Sequence, residues 1–296
     1  MPKAKTHEIE IEYETFGSPD GQPLLLVMGL GAQMILWDEE FCEGLARRGH
    51  RVIRFDNRDI GLSSKLDSAP VPNALELMAR AASGKPLEVP YTLDDMADDA
   101  AGLLDALEIP RAHVVGASMG GMIAQTLAIR HPARVASLTS IMSSTGNPDL
   151  PPAKPEAMQV LLAPPAADRA AAIDQAVRAA RIIGGGVLPF DEERTRTQAT
   201  RAYDRCFYPE GVARQLAAIV AHGSRVEALR RLRVPALVIH GDVDPLVPVE
   251  AGRDTHAAIP DSRLLILEGM GHALPPEVWD RVTDAIAGLT SKARLA

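Results

Sequence analysis

Cysteine is scarce: Cys42 and Cys206 are the only two in 296 residues. They lie far apart and fit neither a zinc nor a redox spacing, which argues against a disulfide framework and a thiolate metal site. Two free thiols suit a reducing cytoplasm. No apolar run approaches the roughly 20 residues that cross a bilayer. The first fourteen residues lack an apolar h-region; they alternate instead, with Ile9, Ile11 and Tyr13 on one face and Glu8, Glu10 and Glu12 on the other. That pattern predicts a first strand rather than a signal peptide. An excess of base is missing too. The net charge is −8, and an acidic surface repels phosphate backbones and anionic lipid, so nucleic acid and membrane are not expected partners. The histidines and acids show no H-x-x-x-H or similar ligand spacing, so no metal is expected.

What is present is the composition of a globular protein, 46% apolar and 24% charged. The length suits one large α/β domain with an insertion, or two small domains, with a core that needs neither metal nor disulfide. Leu24–Met28 is a continuous apolar run, as in a strand covered on both faces, and Arg51–Phe55, Ala112–Gly116 and Val135–Met142 read as further strands. Between them, Trp37–Arg48 and Met119–Arg130 have helical spacing, and Thr92 with Asp95 predicts a capping box for a helix through Leu107. This alternation implies a mostly parallel sheet flanked by helices. It breaks between Asn147 and Arg233, where Pro151, Pro152, Pro155, Pro164 and Pro165 are among the prolines that punctuate an Ala-rich region with helical stretches near 168–183, 191–207 and 209–222. Buried strands resume at Ala236–Gly241 and Arg263–Glu268, and a last helix covers 277–289. The expected division is a core of residues 1–146 and 234–296 with a helical cap at 147–233. The insert 66–90, with its apolar helix at Ala74–Ala82, is expected to join the cap.

Gly116-Ala117-Ser118-Met119-Gly120 follows a strand and opens a helix. That is the context in which G-x-S-x-G forms a nucleophile elbow. A sharp turn forces the serine into a strained conformation, the glycines make room for neighbouring backbone, and the hydroxyl projects above the sheet. A serine needs a base. Among the histidines downstream, His272 in Gly269-Met270-Gly271-His272 stands just past the last strand, on a loop able to lean over the sheet edge. His240 lies within an apolar strand and reads as core, His131 caps a helix end, and His256 falls mid-helix on a polar face. The acid must accept the imidazole N–H from the end of the preceding strand. Asp242 and Asp244 compete there. Asp244 lies further into the loop, before Pro245, and is preferred; Asp242 reads as a turn or cap residue. Oxyanion donors are expected from the backbone N–H of Met119 and of Leu30 in Met28-Gly29-Leu30-Gly31. Gly29-x-Gly31 with Asp56 also mimics a dinucleotide fingerprint, but Met34 stands where glycine or alanine is required.

Together with Asp56-Asn57-Arg58-Asp59-Ile60-Gly61-Leu62-Ser63 and Gly241–Pro248, these motifs resemble the α/β-hydrolase superfamily over essentially the whole chain. They look most like bacterial carboxylesterases and the aclacinomycin methylesterase group. The resemblance implies the α/β-hydrolase fold, cofactor-free hydrolysis of carboxylic esters, and a cap that shapes the acyl and alcohol pockets. Two departures stand out. Asp59 replaces the glycine of an Asp-x-Arg-Gly pattern whose Asp56 and Arg58 read as a structural network. The insert 66–90 is longer than in the methylesterase group, which argues against carrying over a bulky polyketide ester. Candidate pocket walls on the cap are Met158, Leu161, Ile182, Phe190 and Phe207, alongside Leu162, Ile183 and Tyr208; the competing reading is that each packs within the cap. Gly184-Gly185-Gly186 reads as a hinge or a plain loop.

The expected chemistry is two-step acyl transfer by Ser118, His272 and Asp244 on short- to medium-chain esters, with a small-molecule ester as partner, no cofactor, and a homodimer as an open alternative. The same triad would serve a cofactor-free haloperoxidase (perhydrolase) or a lactonase. A ligand-binding module without turnover is the reading from another class.

Overall fold

The computed structural model describes residues 2–6 and 9–293. In chain order the elements are β1 (Lys3–Thr6), β2 (Ile9–Phe16), β3 (Gln22–Val27), α1 (Glu39–Arg47), β4 (His50–Phe55), α2 (Ala74–Ala82), α3 (Leu93–Ala106), β5 (Ala112–Ala117), α4 (Met119–Arg130) and β6 (Val135–Ile141). A helical block follows: α5 (Pro155–Leu161), α6 (Arg169–Gly184), α7 (Glu192–Arg205), α8 (Pro209–His222) and α9 (Val226–Leu229). The chain then completes β7 (Ala236–Gly241), α10 (Val249–Ala258), β8 (Arg263–Leu267) and α11 (Pro276–Thr290).

The strands form one sheet in the order β1-β2-β4-β3-β5-β6-β7-β8. Pairing is antiparallel at β1–β2 and β2–β4 and parallel from β4 across to β8. The apolar runs explain the layers. Side chains alternate across a strand, so Leu25, Val27 and Val114 enter one core with α3 and α4, while Leu24, Leu26 and Val115 enter a second core with α1 and α11. Helix α11 presents Val278, Val282, Ile286 and Leu289 to that second core, a single stripe of a 3.6-residue period. Helix α3 starts at the expected capping box of Thr92 and Asp95.

The N-terminal segment differs from the single alternating strand expected: it folds as the hairpin β1–β2. Glu12, assigned to an outer face, is 3% exposed, because the loop after β4 covers it and Ser63 Oγ accepts its N–H at 3.0 Å. Glu8 lies outside the described residues. Helix α1 begins two residues later than its spacing suggested, after a 3₁₀ turn at Met34–Leu36. Trp37 stacks on Phe41 at 5.5 Å without being helical itself. The parallel strands all end at one edge, and the loops that follow them carry the expected site. Helix α2, from the insert, packs on α8.

Candidate active site

Ser118 stands between β5 and α4 at φ 56°, ψ −122°, a left-handed conformation that a β-substituted residue adopts only when its surroundings over-determine it. Here they do. The Ser118 N–H donates to Ile141 O at 2.9 Å, and its carbonyl accepts from Gly121 N at 2.9 Å and Ser143 Oγ at 2.7 Å. The glycines have a steric reason: a methyl at Gly116 would overlap the Gly120 carbonyl, and one at Gly120 would overlap the Val27 carbonyl. The turn therefore closes only with backbone against backbone.

The last strand delivers His272, 8% exposed, and the loop after β7 delivers Asp244, 5% exposed. His272 Nε2 lies 2.9 Å from Ser118 Oγ, and Nδ1 lies 2.7 Å from Asp244 Oδ2. A carboxylate can only accept, so the imidazole proton sits on Nδ1 and leaves Nε2 free to accept the serine proton. The other Asp244 oxygen accepts the N–H groups of Leu246 at 2.9 Å and Val247 at 2.8 Å, which fixes the carboxylate plane. Asp242 plays another part. Its Oδ1 accepts Gly269 N at 2.7 Å and ties the loop of Asp244 to that of His272. His240 is fully buried, its Nε2 2.8 Å from Val247 O, and burial holds it below the ordinary histidine range. His131 pairs with Asp98 at 2.6 Å and His256 with Ser262 at 2.8 Å, both away from Ser118.

The loop after β3 runs directly over Ser118, since a Cβ on Gly29 would lie 3.2 Å from Ser118 Cβ. This loop bears Leu30. It is held by Asn57 Nδ2 donating to Met28 O at 2.9 Å, Gly31 N donating to Gln215 Oε1 at 2.9 Å, and Met34 N donating to Asp56 Oδ1 at 2.8 Å. Met119 opens α4, so its N–H has no acceptor inside its own helix. Asn57 falls within the Asp56–Ser63 motif, which assigns it no part of its own, and Ser143 and Gln215 escaped the sequence reading. Nothing in the local pattern assigns their contacts, because each is a polar residue whose partner lies far along the chain.

The departure at Asp59 also acquires a reason. Asp59 sits at φ 66°, which aspartate tolerates, and its buried carboxylate accepts from Leu66 N at 2.7 Å and Arg214 Nε at 2.8 Å. Asp56 pairs with Arg205 at 2.7 Å, and Arg58 forks onto Asp99. Of the candidate pocket residues, Met158 and Leu161 lie on α5, partly buried, and Ile182 lies near the end of α6. Phe190 is covered by the Arg181 guanidinium at 4.4 Å, while Phe207 is 45% exposed with its ring 4.8 Å from Tyr203. Both phenylalanines thus have partners within the helical block itself.

Residues 22–277 match the alpha/beta hydrolase fold family. The chain is 31% identical to rhodomycin D methylesterase DauP of Streptomyces sp. strain C5, over 97% of this chain and 96% of that protein. It is 26% identical to 3-oxoadipate enol-lactonase 2 of Acinetobacter baylyi, over 94% and 93% respectively. Among solved structures, the meta-cleavage product hydrolase of Pseudomonas fluorescens IP01 superposes with a TM-score of 0.78 at 21% identity, covering 99% of this chain and 98% of that one. The protein belongs to the alpha/beta hydrolase fold family. Its relatives set it among the esterase-type hydrolases of that family.

Proposed function

We propose that the protein is a cofactor-free serine hydrolase of short- to medium-chain carboxylic esters, with Ser118 as nucleophile, His272 as base and Asp244 as its orienting acid. The observation that carries this is the unbroken hydrogen-bonded chain from Ser118 Oγ through both ring nitrogens of His272 to Asp244, 2.9 and 2.7 Å long. In this mechanism His272 Nε2 takes the Ser118 proton as Oγ attacks the ester carbonyl. The N–H groups of Met119 and Leu30 receive the oxyanion, and His272 returns the proton to the leaving alcohol. Water activated by the same imidazole then releases the acid. Asp244 stabilises the imidazolium without taking its proton.

The helical block 147–233, joined by the insert 66–90, is proposed as the cap that shapes the pocket. The packing of α2 on α8 supports that union. Met158, Leu161 and Ile182 are its candidate walls, and the partners of Phe190 and Phe207 within the block make those two rings the weaker candidates. The methylesterase relative favours a small alcohol as leaving group. Both cysteines are free, which supports a cytoplasmic location. The enol-lactonase relative favours lactone opening as the second reading.

The test is hydrolysis of p-nitrophenyl esters from acetate to decanoate, of methyl esters and of an enol-lactone, by the native protein and Ser118→Ala. Loss of about 10⁶-fold in kcat on Ser118→Ala is the expected result. Equal turnover by both proteins would refute Ser118 as nucleophile, and preference for the lactone would select the second reading.

A further inference from the structure

We infer that the C-terminal end of α6 is a positioning strut for His272, fixed against the base-bearing loop throughout turnover; the inference rests on the triad reading above. The two segments exchange backbone hydrogen bonds in both directions. His272 N donates to Ile183 O at 2.8 Å, while Val187 N and Leu188 N donate to Gly269 O at 2.9 and 3.3 Å. Ile183 lies in the last turn of α6, where carbonyls have no acceptor role left inside the helix. The N–H beneath the base and an orphan helix-end carbonyl therefore satisfy each other.

The contact is backbone on backbone because glycines make it so. A methyl at Gly271 would overlap the Gly184 carbonyl, and one at Gly186 would overlap the Gly269 carbonyl. Gly184-Gly185-Gly186 is thus a docked segment, not a free hinge. The acid-bearing loop is held from the same side: Lys154 N, just before α5, donates to Pro245 O at 2.7 Å. A Cβ on Gly185 would lie 3.0 Å from Pro245 Cγ. Base and acid are both buttressed by the block inserted before β7. The negative end of the α6 dipole also faces the loop whose imidazole becomes cationic during acyl transfer. Ile183, Gly184 and Gly186 are accordingly positioning residues, and substrate must enter past another edge of the cap.

Two variants test this. Gly186→Ala leaves every triad residue in place but pushes a methyl into Gly269. The expected result is a loss of about 10–100-fold in kcat with KM changed less than about twofold, and loss of the downfield Nδ1–H proton resonance of His272. Arg178→Ala, at an exposed position earlier on α6, should alter neither. The second variant is the pair Gly184→Cys and Ala273→Cys in a Cys206→Ser background. A Cβ on Gly184 would lie 3.7 Å from Ala273 Cβ, within the roughly 3.5–4.5 Å that a disulfide requires. The oxidised protein should keep the kcat and the resonance of its reduced form. A staple that abolishes turnover until it is reduced would show that this edge must open, and would overturn the strut. So would a folded Gly186→Ala protein with native kcat and native resonance. The resonance separates the two claims: if it is present in the native protein and lost in Gly186→Ala while no ester is turned over, the esterase reading fails and the strut stands.

Discussion

Asp242 and Asp244 stand two residues apart on one loop, yet their oxygens point to different work. Asp244 gives one oxygen to His272 Nδ1 and the other to two backbone N–H groups, whereas Asp242 accepts only Gly269 N. Asn at 244 would place a donor or a weaker acceptor against Nδ1–H and select the wrong tautomer. Asp244→Asn should therefore lower kcat by about 10⁴-fold with little change in KM. Asp242→Asn retains a carbonyl acceptor for Gly269 and should lose at most about tenfold, through loop geometry alone. Steady-state kinetics on one p-nitrophenyl ester compares the two. Equal losses would mean that the imidazole does not rely on Asp244 specifically.

At the scale of elements, α7 and α8 are fastened to the loop after β4 by ion pairs that are largely out of water: Arg205 with Asp56 and Arg214 with Asp59. Asp59 is fully buried and Arg214 is 1% exposed. Removing one partner leaves the other charge stranded. Arg214→Met should destabilise the protein by about 3–5 kcal/mol, and adding Asp59→Asn should recover a large part of that loss. Urea unfolding of the single and double variants measures both; additive losses would show that the pair is not coupled. Gln215, beside Arg214, holds Gly31 of the loop over Ser118, so the same helix ties the helical block to the loop after β4 and to the loop over Ser118.

Pairs of this kind mark the boundary of what the sequence discloses. The parallel strands and the elbow are legible because burial on both faces writes continuous apolar runs, and a strained serine needs glycines at fixed offsets. The bounds of helix α10 are not, though His256 reads as mid-helix, because it buries small residues, Ala251, Gly252, Thr255 and Ala258, rather than an apolar stripe. Helix α5 starts at Pro155 within a proline-punctuated stretch that reads as loop. Ser118, His272 and Asp244 could be picked as candidates from motif order, and the fold brings the three together. The contact of α6 with the base-bearing loop could not, since it is made by carbonyl and amide groups that every residue carries. Gly271 and Gly186 hint at a close approach but do not name the partner.

For the whole molecule, the histidines set how stability responds to acid. His113 is fully buried between Ser137 Oγ at 2.8 Å and Gln22 Oε1 at 3.1 Å, with His50 at 6.1 Å between ring centroids. Burial, with the charges of His50 and Arg111, depresses its pKa from 6.5 to about 4. Burial also lowers His50, His222 and His240. A histidine neutral in the fold binds a proton more readily once the chain unfolds. Between pH 6.5 and 4 the unfolded state thus carries more protons, and stability falls as pH falls. The contribution of His113 is complete above pH 6.5, amounts to at most about 3 kcal/mol, and is lost by about pH 4. Asp98, which burial alone would raise, is held low by Arg130 and His131 and works in the same direction further down the scale. The urea midpoint should therefore decline steadily from pH 7 to pH 4.5. In His113→Asn, whose amide can replace Nδ1 against Ser137 Oγ but does not titrate, the decline should be shallower by roughly one proton's worth of slope. Parallel declines in the native and variant proteins would mean that His113 titrates alike in the folded and unfolded chains.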